Sequence, residues 1–448
     1  MSLFGTSGVR GIANECLSVN LAIDVAKAFG TYLKKGTIVI GRDTRISGDM
    51  LKSATIAGVL STGIKVIDVG IASTPAIQYY TRDFADGGII ITASHNPREY
   101  NGIKLIAGDG TELSRECELE VEKLYESKKF MVAPWNKTGD LTIENNSNEY
   151  YIKGIINSVD SKSIIEKNFK VITDTGCGVG SVALPFLLQK LGCQVLTLNA
   201  QIDGTFPWRN PEPINEVLTE LKRLVKDTGA VMGVAQDGDA DRAVFIDENG
   251  EFIDEDVLLA MVTKYVLNEK KGSIVTPVSS SQRMKAVAVE AGVDIIWTAV
   301  GSINVAAEMI KHDSVFGGEG NGGLIFPEHQ YCRDGAMACA KLLEIIASGT
   351  SLSELAKSVP EYSNAKVKIK CENLDEVMEQ IKNNVLNQYK EVDVTDGVKI
   401  WYDHGWLLIR PSGTEPIIRV FAESNTESLA KELLEEGINI VNSYVNLK

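Results

Sequence analysis

The sequence has no Cys-x-x-Cys pair; its seven cysteines are scattered at 16, 117, 177, 193, 332, 339 and 371. An odd, dispersed set reads as reduced thiols rather than a disulfide framework. Histidine is scarce: only His95, His312, His329 and His404 occur, too few and too scattered to support a zinc site. Positive charge is also short, with 45 Lys and Arg against 60 Asp and Glu and a net charge of -15. That balance repels a nucleic-acid backbone or an anionic membrane, so neither is expected as a partner. No 18-residue apolar run exists, so no helix is expected to span a membrane. The opening Met1-Ser2-Leu3-Phe4-Gly5 lacks a charged region and an apolar core. It predicts no signal peptide and a cytoplasmic protein.

What is present suits a globular protein of several domains. The 448 residues are 44% hydrophobic, enough for ordinary cores. At ~150 residues per domain, about three domains are expected. Any anion site must be built locally, from a few Arg and Lys with backbone N–H groups.

Strand-like runs alternate with amphipathic runs through about residue 360. Thr37-Ile38-Val39-Ile40 leads through Gly41-Arg42-Asp43-Thr44-Arg45 to a helical stretch from about Gly48 to Thr62, then to Lys65-Val66-Ile67-Asp68-Val69. This βαβ rhythm restarts at Lys170-Val171-Ile172-Thr173-Asp174 and at Gly272-Ser273-Ile274-Val275-Thr276. The restarts place boundaries near 150 and 252. The tail differs: a strand over 365–371, a helix over 374–389, and strands over 398–402, 406–409 and 417–421. A capping box, Ser424-Asn425-Thr426-Glu427, is expected to open the last helix. The fold class is therefore α/β: three similar mixed α/β domains plus a smaller C-terminal α+β domain.

Two segments carry the most chemistry. Thr92-Ala93-Ser94-His95-Asn96-Pro97 offers one hydroxyl at the end of the strand Gly88-Ile89-Ile90-Ile91. A serine after a strand is usually a helix cap, but ligands of open α/β sheets also sit beyond strand ends. Asp237-Gly238-Asp239-Ala240-Asp241-Arg242 gathers three carboxylates whose repulsion a hard cation would relieve. An EF-hand would place Glu248 at its twelfth position. However, Arg242 stands where that loop needs Gly, and the flanks read as strands. A solvated acidic turn is the plainer alternative. A hydroxyl and a divalent metal are the ingredients of phosphoryl transfer through a phosphoserine.

Other segments are less specific. Lys104 could neutralise a phosphate or move a proton, or simply face solvent. Arg410-Pro411-Ser412-Gly413-Thr414-Glu415-Pro416 is the best anion cradle, with one Arg, two hydroxyls and a Gly in one turn. Gly317-Gly318-Glu319-Gly320-Asn321-Gly322-Gly323 could bring an acceptor close to a sugar or merely connect two strands. Phe4 to Gly11 is Gly-rich with one Arg, and could equally be a frayed terminus. Gly176-Cys177-Gly178-Val179-Gly180 is spaced as a tight turn rather than a dinucleotide loop.

In this order, the motifs resemble those of the α-D-phosphohexomutase superfamily, over nearly the whole chain. The resemblance implies four domains around a central cleft, at 1–150, 151–251, 252–362 and 363–448. It implies Ser94 as the phosphorylated residue, with His95, Arg10 and Lys104 beside the reaction. It implies one Mg2+ held by Asp237, Asp239, Asp241 and phospho-Ser94, with Arg242 adjoining. Glu319 and Asn321 would meet the sugar; Arg410, Ser412, Gly413 and Thr414 would hold its distal phosphate. A hexose 1- or 6-phosphate would be converted through a bound hexose 1,6-bisphosphate, which also acts as activator.

One departure stands out. Many such sequences read GExSGH in the sugar loop, whereas Asn321 and Gly323 stand here, so no histidine role carries over. His329 could substitute for it or serve the structure. The opening segment and the length look most like phosphoglucosamine mutases, with phosphomannomutase/phosphoglucomutase as the alternative. A non-catalytic sugar-phosphate-binding protein is a further reading. A nucleotide-dependent kinase is disfavoured because no GxxxxGK[ST] loop occurs.

Overall fold

The structure is a computed structural model and describes residues 3–5, 8–412 and 416–445. By contacts the chain forms two compact units: Met1–Glu255 with Asn321–Ala356, and Asp256–Gly320 with Lys357–Lys448.

The first unit holds two sheets. One contains β1 (Val9–Ile12), β2 (Thr37–Arg42), β3 (Lys65–Ile71), β4 (Gly87–Ile91), β5 (Tyr100–Ala107) and β6 (Leu141–Ile143), in the order β1-β5-β4-β2-β3-β6. β2 runs parallel to β3 and β4, and β5 is antiparallel to both β4 and β1. The core strands β2 and β4 are almost wholly apolar because helices cover both faces of such a sheet. Helices Val19–Leu33 and Gly48–Ser61 pack Val25, Phe29, Leu51 and Val59 against Ile38, Ile40 and Ile89. Burying each of these side chains contributes about 1.5–3 kcal/mol.

The second sheet contains β7 (Lys170–Asp174), β8 (Gln194–Leu198), β9 (Met232–Gln236) and β10 (Ala243–Ile246), in the order β10-β9-β7-β8. β9 and β10 are antiparallel, with Ala243 opposite Gln236, so the acidic segment is a hairpin loop between strands. The helical flanks of an EF-hand are excluded.

In the second unit, β11 (Ile274–Pro277) runs parallel to β12 (Ile295–Thr298) and β13 (Phe316–Glu319). The short β14 (Gly323–Ile325) falls in the first unit. A separate antiparallel sheet is formed by β15 (Ser363–Lys370), β16 (Val392–Asp393), β17 (Val398–Tyr402), β18 (Gly405–Pro411) and β19 (Ile417–Ser424), in the order β15-β19-β18-β17-β16. Helices Leu374–Gln388 and Glu427–Val445 cover its core of Ile381, Val385, Leu407, Ile418 and Val441. The architecture is thus three mixed α/β layers and a smaller antiparallel C-terminal one.

One local expectation is corrected. Ser424 does not cap the last helix: it ends β19 and its hydroxyl donates to His404 O at 2.6 Å. Thr426 serves instead, accepting from Leu429 N at 3.3 Å. The strand's pairing with β15 and β18 held Ser424 extended, and the helix could start only past it. Among the described residues, no helix is long and apolar enough to cross a membrane.

Candidate active site

The loop after β4 turns sharply at Ser94, whose φ of 49° lies in the left-handed region. For a non-glycine residue that conformation costs of order 1–3 kcal/mol and must be held by its surroundings. Three groups hold it. Ser94 N donates to Thr92 Oγ1 at 2.9 Å, and that hydroxyl donates to Asp43 Oδ2 at 2.6 Å. The fully buried Arg45 guanidinium donates to the carbonyls of Ser94, Asn96, Pro97 and Tyr100 at 2.6–2.9 Å, and to Asp43 Oδ2 at 3.1 Å. No helix follows Ser94, so it is not a helix cap; the chain turns back into β5.

That reversal places Lys104. In register it faces Ile90 on β4, and its ammonium is buried. It donates to Asp239 Oδ2 at 3.2 Å and lies 3.7 Å from Asp241 Oδ2. Burial alone would lower its pKa, but Asp239, Glu112 and Asp241 outweigh it and hold the amine above its ordinary value. A solvated surface lysine is excluded. Arg10 enters the same corner because β1 pairs with β5, Arg10 opposite Gly102. Its Nη1 donates to Asn96 Oδ1 at 2.6 Å and to Ala93 O at 3.3 Å. Of the Gly-rich opening segment, Val9 to Gly11 lie in a strand of the first sheet.

The β9–β10 hairpin presents its carboxylates to this corner. Ser94 Oγ donates to Asp237 Oδ2 at 2.9 Å. Asp239 Oδ2 also accepts from Thr74 Oγ1 at 2.7 Å. Asp241 Oδ2 accepts from Arg333 Nη2 at 2.6 Å. Arg242 N donates to Asp237 Oδ1 at 3.2 Å. All three Asp are buried, with one ligand oxygen from each within 4.8 Å of the others. Burial, then Asp239 and Asp241, push the Asp237 carboxyl well above its usual range. Burial opposes ionisation of Asp239 too, but Lys104, Thr74 and Arg10 prevail and hold it low.

Asp239 Oδ1 and Asp241 Oδ1 are buried without a hydrogen-bond partner. Clustered carboxylates with open buried oxygens fit a hard, oxygen-seeking cation such as Mg2+. His95 Nδ1 stands 3.4 Å from Ser94 Oγ. Burial, then Arg242 and Arg10, lower its pKa to about 3, so the ring is neutral near pH 7.

The other expected residues fall in several places. Asn321 belongs to the first unit, where its Oδ1 accepts from Gly323 N at 3.1 Å and the neighbouring Gly322 O accepts from Ala243 N, just past the acidic loop. Glu319 belongs to the second unit and accepts from Gly301 N at 3.1 Å. Within that unit, Val300 N donates to Asp396 Oδ2 at 2.9 Å and Arg410 Nη2 pairs with the same oxygen at 3.0 Å. A chain of polar contacts therefore joins Glu319 to Arg410. Ser412 is buried and accepts from Arg419 Nη2 at 3.4 Å. Gly413 and Thr414 lie outside the described residues.

His329 is buried, stacked on Tyr79 with centroids 4.5 Å apart and near Tyr151 and Asp334. Of these neighbours Tyr79 and Tyr151 pack against the ring, and Asp334 caps a helix. Sequence reasoning missed Asp43, Arg45, Thr74, Arg333 and Asp396. The one available signal was Gly41-Arg42-Asp43-Thr44-Arg45, which piles charge onto the end of an apolar strand.

Comparison with known proteins identifies the family. Four models of the phosphoglucomutase/phosphomannomutase family match in order: α/β/α domain I over residues 1–131, domain II over 149–250, domain III over 254–362 and the C-terminal domain over 365–439. A phosphoglucomutase/phosphomannomutase of Thermococcus kodakarensis is 48% identical over 98% of both chains. A probable phosphoglucosamine mutase of Pyrococcus horikoshii is 42% identical over 99% of this chain and 98% of its own. A phosphoglucomutase/phosphomannomutase family protein of Burkholderia thailandensis shares the fold, with a TM-score of 0.90 at 24% identity, over 99% of this chain and 97% of that one. The chain therefore belongs to the phosphoglucomutase/phosphomannomutase family of α-D-phosphohexomutases, isomerases that relocate a phosphoryl group on a sugar phosphate.

Proposed function

We propose that the chain interconverts hexose 6-phosphate and hexose 1-phosphate through a phosphoserine at Ser94. The observation that carries this is the contact of Ser94 Oγ with Asp237 Oδ2 at 2.9 Å, in a corner that also holds Lys104 and Asp239. In the first transfer the Ser94 O–P bond breaks as a sugar hydroxyl oxygen forms the new one; the hydroxyl gives up its proton and Ser94 Oγ leaves as a protonated hydroxyl, giving a hexose 1,6-bisphosphate. The bisphosphate turns over, and Ser94 takes back the other phosphoryl group. Mg2+ bound by Asp237, Asp239, Asp241 and phospho-Ser94 would supply charge that stabilises the transferring group.

The chain's own groups do the rest. Arg45 and Asp43 fix the serine loop in its left-handed turn. Lys104 and Arg10 bring positive charge to the phosphoryl oxygens, and Arg242 adjoins them. Glu319 and Asn321 would orient the sugar hydroxyls, while Arg410, Ser412, Gly413 and Thr414 would hold the phosphate that does not react. The four matched stretches support domain limits at 1–150, 151–251, 252–362 and 363–448.

For the hexose, glucosamine phosphate is the leading reading, carried by the opening segment around Phe4 to Gly11. A second reading, glucose or mannose phosphate, is favoured by the name of the 48% identical relative. Turnover on a panel of glucosamine, glucose and mannose 1- and 6-phosphates decides between them. Peptide mapping of the phosphorylated protein tests the nucleophile. A phosphate elsewhere, with full activity in Ser94→Ala, would overturn the mechanism.

A further inference from the structure

Arg333 is buried and reaches the acidic hairpin from a segment outside it, its Nη2 2.6 Å from Asp241 Oδ2. Its backbone is fixed on both sides. It bridges Ile325 of β14, and the next residue, Asp334, caps the helix Gly335–Ala347 by accepting from Ala336 N and Met337 N. Its stem passes directly over Gly323. A Cβ on Gly323 would stand 2.2 Å from Arg333 Cδ and 3.0 Å from Asn321 Oδ1. A side chain at 323 and Arg333 in this position exclude one another.

The three carboxylates share one pattern of support. Asp237 Oδ2 is held by Ser94, Asp239 Oδ2 by Thr74 and Lys104, and Asp241 Oδ2 by Arg333. For Asp239 and Asp241 this leaves Oδ1 buried without a hydrogen-bond partner.

We infer that Arg333 is a positioning residue for Asp241, and that residue 323 is glycine so that Arg333 can pass. The inference rests on reading the three Asp as a cation site. Without Arg333, the buried Asp241 carboxylate would be left short of a cation, a costly state. It would turn toward the two that remain, Lys104 Nζ at 3.7 Å from Oδ2 and Arg242 Nε at 3.8 Å from Oδ1, and draw Oδ1 out of the cluster. Loss of a positive charge beside the site would act the other way, by easing repulsion of an incoming cation. Orientation prevails because all the carboxylates must point to one spot at once to bind it.

The test is calorimetric titration of Mg2+ into the full chain, with no substrate present. Arg333→Met and Arg333→Gln should weaken Mg2+ binding about tenfold or more, the scale on which outer-shell support acts. Gly323→Ala, which displaces Arg333 without removing it, should shift affinity in the same direction. Arg333→Met should add nothing in an Asp241→Asn background. A purely structural Arg333 would lower the melting temperature of the metal-free chain but leave the affinity of the folded protein unchanged. That result, or tighter binding, overturns the inference. If Asp241→Asn leaves Mg2+ affinity intact, the cation site itself is refuted, and the inference falls with it. If Asp241→Asn weakens binding and the Arg333 variants do not, only the inference falls. Should Arg333→Met not fold, Arg333→Gln and Gly323→Ala carry the same comparison.

Discussion

Arg45 Nη2 donates to Ser94 O at 2.7 Å, and the same guanidinium spans the carbonyls of Asn96, Pro97 and Tyr100. One buried cation thus ties four carbonyls of the serine loop together, beside the Thr92 and Asp43 contacts. Arg45→Met should take a donor from each of these carbonyls, at about 1–3 kcal/mol for each one that neither water nor another donor reaches; Pro97 O keeps Tyr100 N at 3.1 Å. Turnover should fall on the order of 10²-fold, the loss expected when a reacting group moves by about an ångström. The check is kcat beside the melting temperature, with Arg45→Lys for comparison. Near-normal kcat in a folded Arg45→Met protein would show that the loop holds itself.

Lys104 and His329 separate by their neighbours. Lys104 touches Asp239, while His329 is sandwiched against Tyr79. Lys104→Ala should cost about 10²-fold or more in turnover, and His329→Ala less than about tenfold, at saturating substrate. A hundredfold loss in a natively folded His329→Ala protein would reverse this ranking.

Chelation should abolish turnover, and Mg2+ should restore it, because Asp239 Oδ1 and Asp241 Oδ1 are buried without a hydrogen-bond partner, and Arg242 Nε comes no nearer than 3.8 Å to the latter. Asp239→Asn should need more Mg2+ for half-maximal activity. Undiminished turnover after exhaustive chelation would assign the three carboxylates another purpose.

Arg410 pairs with Asp396 at 3.0 Å and keeps its Nε buried without a hydrogen-bond partner. Arg410→Ala should weaken sugar-phosphate binding about tenfold to a hundredfold, from the ~1.5–3 kcal/mol of a charged contact. Unchanged KM and kcat for both 1- and 6-phosphates would reject the role.

Lys399 is buried among Trp401, Trp406 and Trp297, with ring centroids at 4.0, 4.1 and 4.8 Å, and donates to Val278 O at 2.6 Å. Burial lowers its pKa to about 7, despite the pull of Glu423. The folded state therefore binds this proton less tightly than the unfolded chain. Its contribution to stability should rise with pH between about 7 and 10, and the full cost should be present below that window. Lys399→Met should flatten the slope of melting temperature against pH across that range. An unaltered slope would show that the aromatic faces keep the ammonium charged.

The groups proposed to react were legible as candidates in the sequence because their chemistry is local. A hydroxyl at a strand end and three aspartates at alternate positions each stand out beside their neighbours in the chain. The βαβ rhythm was legible for a similar reason: strands β2, β4 and β9 are covered on both faces, and so read as unbroken apolar runs.

The supports of those groups were not legible. Arg45 reaches Ser94 across 49 residues, Arg333 reaches Asp241 across 92, and Thr74 reaches Asp239 across 165. Nothing near any of them in sequence marks the partner, since a buried Arg is paired only once folding has removed water from both groups. The same holds for Gly323. Alone it reads as one more glycine in a loose loop; only the path of Arg333 shows why no Cβ fits there. The sequence by itself determined which chemical groups this chain brings to bear. Tertiary structure decided which way they point, because orientation is set by contacts between segments far apart in the chain.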